Sequence, residues 1–193
     1  MFETTFQIQN HEGITVLRLH SDDGTNRLTS TCIAELTETL CQLRHSTGGL
    51  LIAGSNKFFS TGAELSEIGA LTAAAAYDFA QLGQRLMTAI AEFPSPVYAA
   101  ISGYCMGGGL DLVLACHRRI AAPNAIFGHR GTALGLITGW GGTQRLPRLI
   151  GKTQALEMFI AAEKINASKA LHLGLIDAIA EDPVAEASRR LQR

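Results

Sequence analysis

The sequence predicts a layered α/β fold, and three observations carry that prediction. Short apolar runs at Leu50–Gly54 and Val97–Ile101, each closed by glycine or proline, read as covered strands. Longer stretches, residues 29–45 and 72–93, read as helices, the first with apolar residues at helical spacing and the second stopped by Pro94 and Pro96. The two kinds alternate along the chain, as layered sheets and helices require.

Taken in order, Phe6–Asn10 and Ile14–His20 alternate around His11-Glu12-Gly13 and predict a hairpin. Residues 21–26 are turn chemistry. Thr29 or Ser30 caps a helix reaching His45, with Ile33, Leu36, Leu40 and Leu43 on one face. Gly48-Gly49 ends it before the strand Leu50–Gly54. Phe58–Leu65 reads as a loop, and a long helix fills Thr72–Phe93 until Pro94 and Pro96 stop it. The strand Val97–Ile101 then leads into a glycine-rich turn and a helix over Leu110–Cys116, apolar on every side except for Asp111. Short strands at Arg119–Ala122 and Ala125–Gly128 come next, followed by a second glycine-rich segment, Gly131–Gly142, that carries Trp140. Helices over Thr143–Ile150, Thr153–Ala162 and Ser168–Leu173, a strand over Leu175–Ala180, and a helix opening at Asp182-Pro183 close the prediction.

Composition narrows the function classes. The chain of 193 residues suits one domain, expected over 1–193. A net charge of −1 with scattered Lys and Arg gives no electrostatic case for nucleic acid or a polybasic membrane contact. Cys32, Cys41, Cys105 and Cys116 lack metal-ligand spacing and read as reduced residues, so no metal is expected. Met1-Phe2-Glu3-Thr4 opens no secretory signal, and the most apolar window, Val97–Cys116, contains glycines and Asp111. A soluble cytoplasmic protein is the expectation.

The chemistry gathers at the glycine turns. Thr61–Ala63 and Gly107–Gly109 each follow an expected strand of one layer, and such turns offer backbone N–H groups that converge as an oxyanion hole. The second turn opens a helix, whose first N–H groups and dipole favour negative charge. Asp111 lies three residues beyond Gly108 on the same face. A packing turn, with Asp111 satisfying the helix N-terminus, is the alternative reading. No GxGxxG, P-loop or GxSxG pattern occurs, so dinucleotide binding, phosphate cradling and serine hydrolysis lack support.

Three motifs, Phe58–Leu65, Gly103–Leu112, and Phe127-Gly128 through Gly141-Gly142-Thr143-Gln144-Arg145-Leu146, resemble the enoyl-CoA hydratase/isomerase (crotonase) superfamily in order and spacing. The resemblance covers about Val16 to Asp177. It implies a crotonase-like spiral of ββα units, an acyl-CoA substrate, no cofactor beyond the coenzyme A of that substrate, and a homo-oligomer, a trimer or dimer of trimers. By position it makes the N–H groups of Ala63 and Gly108 the oxyanion donors and Asp111 the catalytic carboxylate. It assigns substrate contacts to Asn26, Arg27, Leu28, Gly62, Ala63, Glu64, Leu65, Tyr104, Gly107, Gly108, Gly131, Leu134 and Trp140. Arg27 would meet a coenzyme A phosphate or stand in solvent, Glu64 would serve local turn or salt-bridge structure, and Tyr104 and Trp140 would line the acyl group or pack.

Departures from the family pattern qualify this picture. Hydratases of the family carry two glutamates; the first position holds Asp111 and the second Gly131. A further carboxylate position used by some isomerases falls near Gly139. With one carboxylate, isomerase, lyase or decarboxylase chemistry is expected over hydration. His129, two residues before the vacant position, is either a proton shuttle or a packing residue. The chain also stops before the C-terminal helices usual in relatives. A non-catalytic acyl-CoA binder or structural subunit is the competing expectation.

Overall fold

The computed structural model describes residues 4–45 and 47–192. Strands β1 (Thr4–His11) and β2 (Ile14–Ser21) form the expected antiparallel hairpin. After the short β3 (Arg27–Leu28) comes α1 (Ser30–Leu43), capped by Thr29, whose hydroxyl accepts from the Cys32 N–H at 3.1 Å. From there one pattern repeats. Strand β4 (Gly49–Ala53) leads into β5 (Phe58–Ser60) and β6 (Gly62–Ala63), then helices α2 (Leu65–Gly69) and α3 (Ala73–Ala91). Strands β7 (Val97–Ile101) and β8 (Tyr104–Met106) precede α4 (Gly108–Ala115). Strands β9 (Arg118–Ala121) and β10 (Ile126–Gly128) precede a 3-10 turn, Gly131–Leu134, and helices α5 (Gly142–Ile150) and α6 (Lys152–Ala161). Then follow β11 (Ile165–Asn166), α7 (Ala167–His172), β12 (Ala178–Ile179) and α8 (Pro183–Leu191).

The first strand of each repeat joins one six-stranded sheet, ordered β1-β2-β4-β7-β9-β12, parallel from β2 onward. The second strand joins another sheet, ordered β11-β10-β8-β5, while β3 pairs with β6. This is the α/β spiral of ββα units that the sequence led us to expect. The repeats bury their apolar runs on both faces: every residue of β4 is buried, and so is α4 from Gly109 to Ala115. The core is a large cluster running from Leu17 through Phe59, Leu110 and Phe127 to Ile176, with a smaller second cluster of Ile14, Leu51, Ala53, Ala100, Ile120 and Ala187. Cys32, Cys105 and Cys116 belong to the large cluster, whereas Cys41 is exposed. Among the described residues no helix is long and apolar enough to cross a membrane.

Two sequence expectations need correction. Residues 58–63 and 104–106 are not loop and turn but strands of two or three residues, too short to show a period. The segment 175–180 holds only the two-residue strand Ala178–Ile179, because Leu175 and Ile176 are core side chains in the preceding turn.

Crossing between the sheets depends on Gly103. Its φ is +60°, and a Cβ there would overlap the Lys57 carbonyl, which accepts from the Tyr104 N–H at 3.0 Å. Gly103→Ala is therefore expected to cost about 3 kcal/mol or more, combining left-handed backbone strain with a backbone clash. Chemical denaturation measures it, and a loss under about 1 kcal/mol would show that the crossing relaxes without cost.

Candidate active site

Strands β5, β8 and β10 are parallel neighbours, so the segments leaving their C-terminal ends emerge along one edge. Those segments are Thr61–Ala63, Gly107–Gly108 and His129. The Gly107 N–H donates to the Gly128 carbonyl at 2.9 Å and ties the last two together. The first two touch backbone to backbone. A Cβ on Gly62, whose φ is +96°, would stand 2.9 Å from the Gly108 nitrogen, and a Cβ on Gly108 would stand 3.3 Å from the Ala63 nitrogen. Glycine is what permits this approach. Gly108 is the first residue of α4, so its N–H has no acceptor within the helix and sits at the positive end of the helix dipole.

Asn26, Arg27 and Leu28 stand behind this edge. Asn26 is fully buried, and its amide donates to the Phe58 and Phe59 carbonyls, each at 3.1 Å. The Ser60 hydroxyl donates to the Asn26 carbonyl at 2.6 Å and accepts from the Gly62 N–H at 3.1 Å. Leu28 pairs with Ala63 across β3 and β6 and belongs to the core. The Arg27 guanidinium is engaged by Thr25, Asp23 and Glu64. Glu64 caps α2 by accepting from the Ser66 N–H at 3.0 Å, and this bond, with help from Arg27, holds its carboxyl below the usual range. Tyr104 turns away, its ring stacked on Phe58 at 5.6 Å. These residues, with Gly62, brace the turn and do not line the cavity beside it.

That cavity measures about 310 Å³. Ala63, Gly107, Gly108, Gly131, Leu65, Leu134 and Trp140 of the expected set line it, together with Asp111 and His129. Leu65 and Leu134 are exposed at its rim, and Phe79, Leu136 and Phe159 add apolar wall. Trp140 is buried against Gly108 on one side and Gly83 on the other, and packs on Phe79 with ring centroids 5.3 Å apart. Gly83 lies mid-helix in α3, where a Cβ would overlap the indole. Glycine is costly inside a helix, and that cost was the available signal for such a close approach.

Asp111 is 1 % exposed, one turn into α4. The Thr138 hydroxyl donates to its Oδ2. Its Oδ1 has no hydrogen-bond partner among the described residues, nor does the Nε2 of His129, which is 3 % exposed. The two atoms face each other at 3.4 Å. Burial pushes the Asp111 carboxyl up to about 7, against the opposing pull of Thr138, Arg145 and the Gly142 N–H. Burial also lowers His129 to about 4. Near neutral pH the histidine is uncharged and the carboxyl lies close to half-protonated. Gly142 is pressed against the pair, since a Cβ there would overlap Asp111 Oδ1 and stand 3.0 Å from His129 Nε2.

At Gly131 a Cβ would stand 2.9 Å from the Leu136 carbonyl, so a carboxylate side chain there has no room without a backbone shift. Opposite Asp111 stands His129 instead. Thr138 and Gly83 were not singled out in the sequence, and Gly142 only as part of a motif. Thr138 has no sequence signal, because a lone threonine in a glycine-rich segment says nothing about which oxygen it meets.

A family model described as enoyl-CoA hydratase/isomerase matches residues 9–193. A probable enoyl-CoA hydratase of Bacillus subtilis is 41 % identical over 172 residues, covering 88 % of this chain and 66 % of that protein. The human mitochondrial enoyl-CoA hydratase domain-containing protein 2 is 37 % identical over 186 residues, covering 94 % of this chain and 64 % of its own length. The chain thus spans about two thirds of these curated relatives. Among solved structures, an enoyl-CoA hydratase from Bacillus anthracis superposes with a TM-score of 0.92 at 30 % identity, over 97 % of this chain and 75 % of that one.

Proposed function

The chain belongs to the enoyl-CoA hydratase/isomerase family, and from that premise we propose an acyl-CoA thioester enzyme whose N–H groups at Ala63 and Gly108 stabilise an enolate. The thioester oxygen accepts from both donors. Asp111, as carboxylate, takes a proton from the carbon beside the carbonyl, and the electron pair of that C–H bond moves into the enolate. Returning the proton to a different carbon is isomerisation; expelling a group from the next carbon is elimination; a carboxyl lost as carbon dioxide in place of the proton is decarboxylation. Each needs one carboxylate beside the hole, which is why they are favoured over plain hydration.

A single observation carries this reading: Asp111, whose buried Oδ1 has no hydrogen-bond partner among the described residues, lines the same cavity as Ala63 and Gly108. An orphaned buried oxygen costs stability and points to a ligand group that satisfies it. The apolar walls around Trp140 and Phe79 suit an acyl chain and keep water from the enolate. The proposal calls for no cofactor beyond the substrate's own coenzyme A, and it includes a cytoplasmic homotrimer or dimer of trimers.

Turnover across enoyl-, dienoyl- and malonyl-type CoA thioesters, read by mass spectrometry beside binding calorimetry, tests it. Conversion of at least one class is expected. Tight binding with no conversion would leave a non-catalytic acyl-CoA binder, and no binding at all would remove the acyl-CoA reading altogether.

A further inference from the structure

The six-stranded sheet is left open at one side. β1 is its edge strand, and among the described residues no strand other than β2 pairs with it. Sheet edges are normally blunted by shortness, charged side chains, proline or a bulge. β1 has none of these. It runs for eight residues in unbroken register with β2, and Thr4–His11 contains no Asp, Glu, Lys, Arg or Pro. Every residue from Gln7 to His11 is exposed. The hairpin turn decides which backbone groups face outward. Glu12 and Gly13 have φ of +49° and +82°, a two-residue turn whose flanking residues, His11 and Ile14, form a hydrogen-bonded pair. Bonded and non-bonded pairs alternate back from there, so Asn10, Ile8, Phe6 and Thr4 aim their N–H and C=O groups at the open edge. The same four residues lie on the sheet face that carries the main core. Ile8 stands beside Leu17, Leu17 beside Ile52, and Ile52 beside Ala99. That apolar row ends in the open, with Ile8 43 % exposed.

We propose that β1 pairs antiparallel with β1 of a second copy of this chain, about a two-fold axis at Ile8. The strand complements itself in that register. Ile8 stands opposite Ile8 and carries the apolar row across the interface, Phe6 stands opposite Asn10, and Gln7 opposite Gln9. The outward groups of Phe6, Ile8 and Asn10 close about six N–H···O=C bonds between the copies. A charged edge paired with itself sets like charges against each other; this one carries none, which selects a second copy as its occupant. An isologous strand pair is two-fold, so the contact differs from that of a three-fold ring. One strand pair buries less than a standard interface, and the association is accordingly weak and concentration-dependent. The inference needs only the fold and is independent of the acyl-CoA reading.

Disulfide trapping tests the register. Ile8→Cys, in a chain whose exposed thiol is removed by Cys41→Ser, sets a thiol on the axis. Directly opposed Cα atoms of a hydrogen-bonded pair lie about 5.5 Å apart, within disulfide reach. Mild oxidation of the full chain is expected to give a covalent dimer on a non-reducing gel. Gln7→Cys in the same background lies out of register with itself and is expected to lose that dimer. Adding Gln7→Lys and Gln9→Lys to the Ile8→Cys chain changes only exposed side chains and opposes like charges in two pairs. The dimer yield is expected to fall about 10-fold. Sedimentation of the native chain is expected to show mass rising with protein concentration. No covalent dimer from Ile8→Cys, as when a partner of other chemistry takes the edge, would overturn the pairing. So would equal yields from Ile8→Cys and Gln7→Cys, a yield the lysines leave unchanged, or a native mass that never rises.

Discussion

Asp111→Asn is expected to lower turnover about 1,000-fold, within the range for a removed acid–base group, and at the same time to stabilise the protein above neutral pH. The substitution keeps the shape of the side chain and an oxygen able to accept from Thr138, so a loss of activity reports proton transfer. The stability effect follows from burial. The carboxyl rises from an ordinary 3.8 to about 7 in the folded chain. Below the unfolded value both states are protonated and its contribution is fully present. As pH climbs through about 7 the folded chain must ionise a buried group that the unfolded chain ionised long before, and stability is lost on the order of a few kcal/mol. Asparagine has no such loss, so its advantage over the native residue grows between about pH 5 and about pH 8. His129 works in the opposite direction: its folded value lies below its unfolded one, at about 4, and stability is lost as pH falls through it. Melting curves at both pH values together with single-turnover rates provide the check. Full activity in the asparagine variant would remove Asp111 from the chemistry, and an advantage that does not change with pH would remove the buried charge.

Gly108→Ala is expected to lower turnover about 100- to 1,000-fold, the scale of one lost oxyanion donor. A Cβ at this position would overlap the Trp140 ring and stand 3.3 Å from the Ala63 nitrogen, between the two donors. Only the indole can yield, at about 1–3 kcal/mol for an overpacked core. Adding Trp140→Leu removes the ring and is expected to return most of the lost stability, while turnover stays low because the methyl group still crowds the hole. Recovery of turnover in the double variant would show that the ring, and not the hole, was the injured part.

The elements of the fold were legible where they were long. Helices α1 and α3 are long enough for spacing and proline stops to outweigh local noise, and the hairpin and the five-residue strands β4 and β7 follow from alternation or apolar runs bounded by glycine and proline. The strands β5, β6 and β8 were not legible, since two or three residues show no period and their pairing is decided by the neighbouring repeat. At the site, the glycines of the turns, the carboxylate after them and His129 could be picked out by residue type. Their partners could not. Thr138 meets Asp111 across 27 residues, and Gly83 on α3 receives Trp140 from the loop before α5.

By itself the sequence determined that this is an α/β chain with two glycine turns, a carboxylate behind one of them, and no carboxylate at Gly131. Those are properties of residue type and short-range order, which the chain carries before it folds. Only the tertiary structure decided that the two turns meet, that a side chain at Gly131 would strike the Leu136 carbonyl, and that His129 faces Asp111. The physical reason is that parallel strands β5, β8 and β10, far apart in sequence, end side by side. Their loops share one buried pocket, and in that low-dielectric space an aspartate holds its proton while a histidine gives its own up.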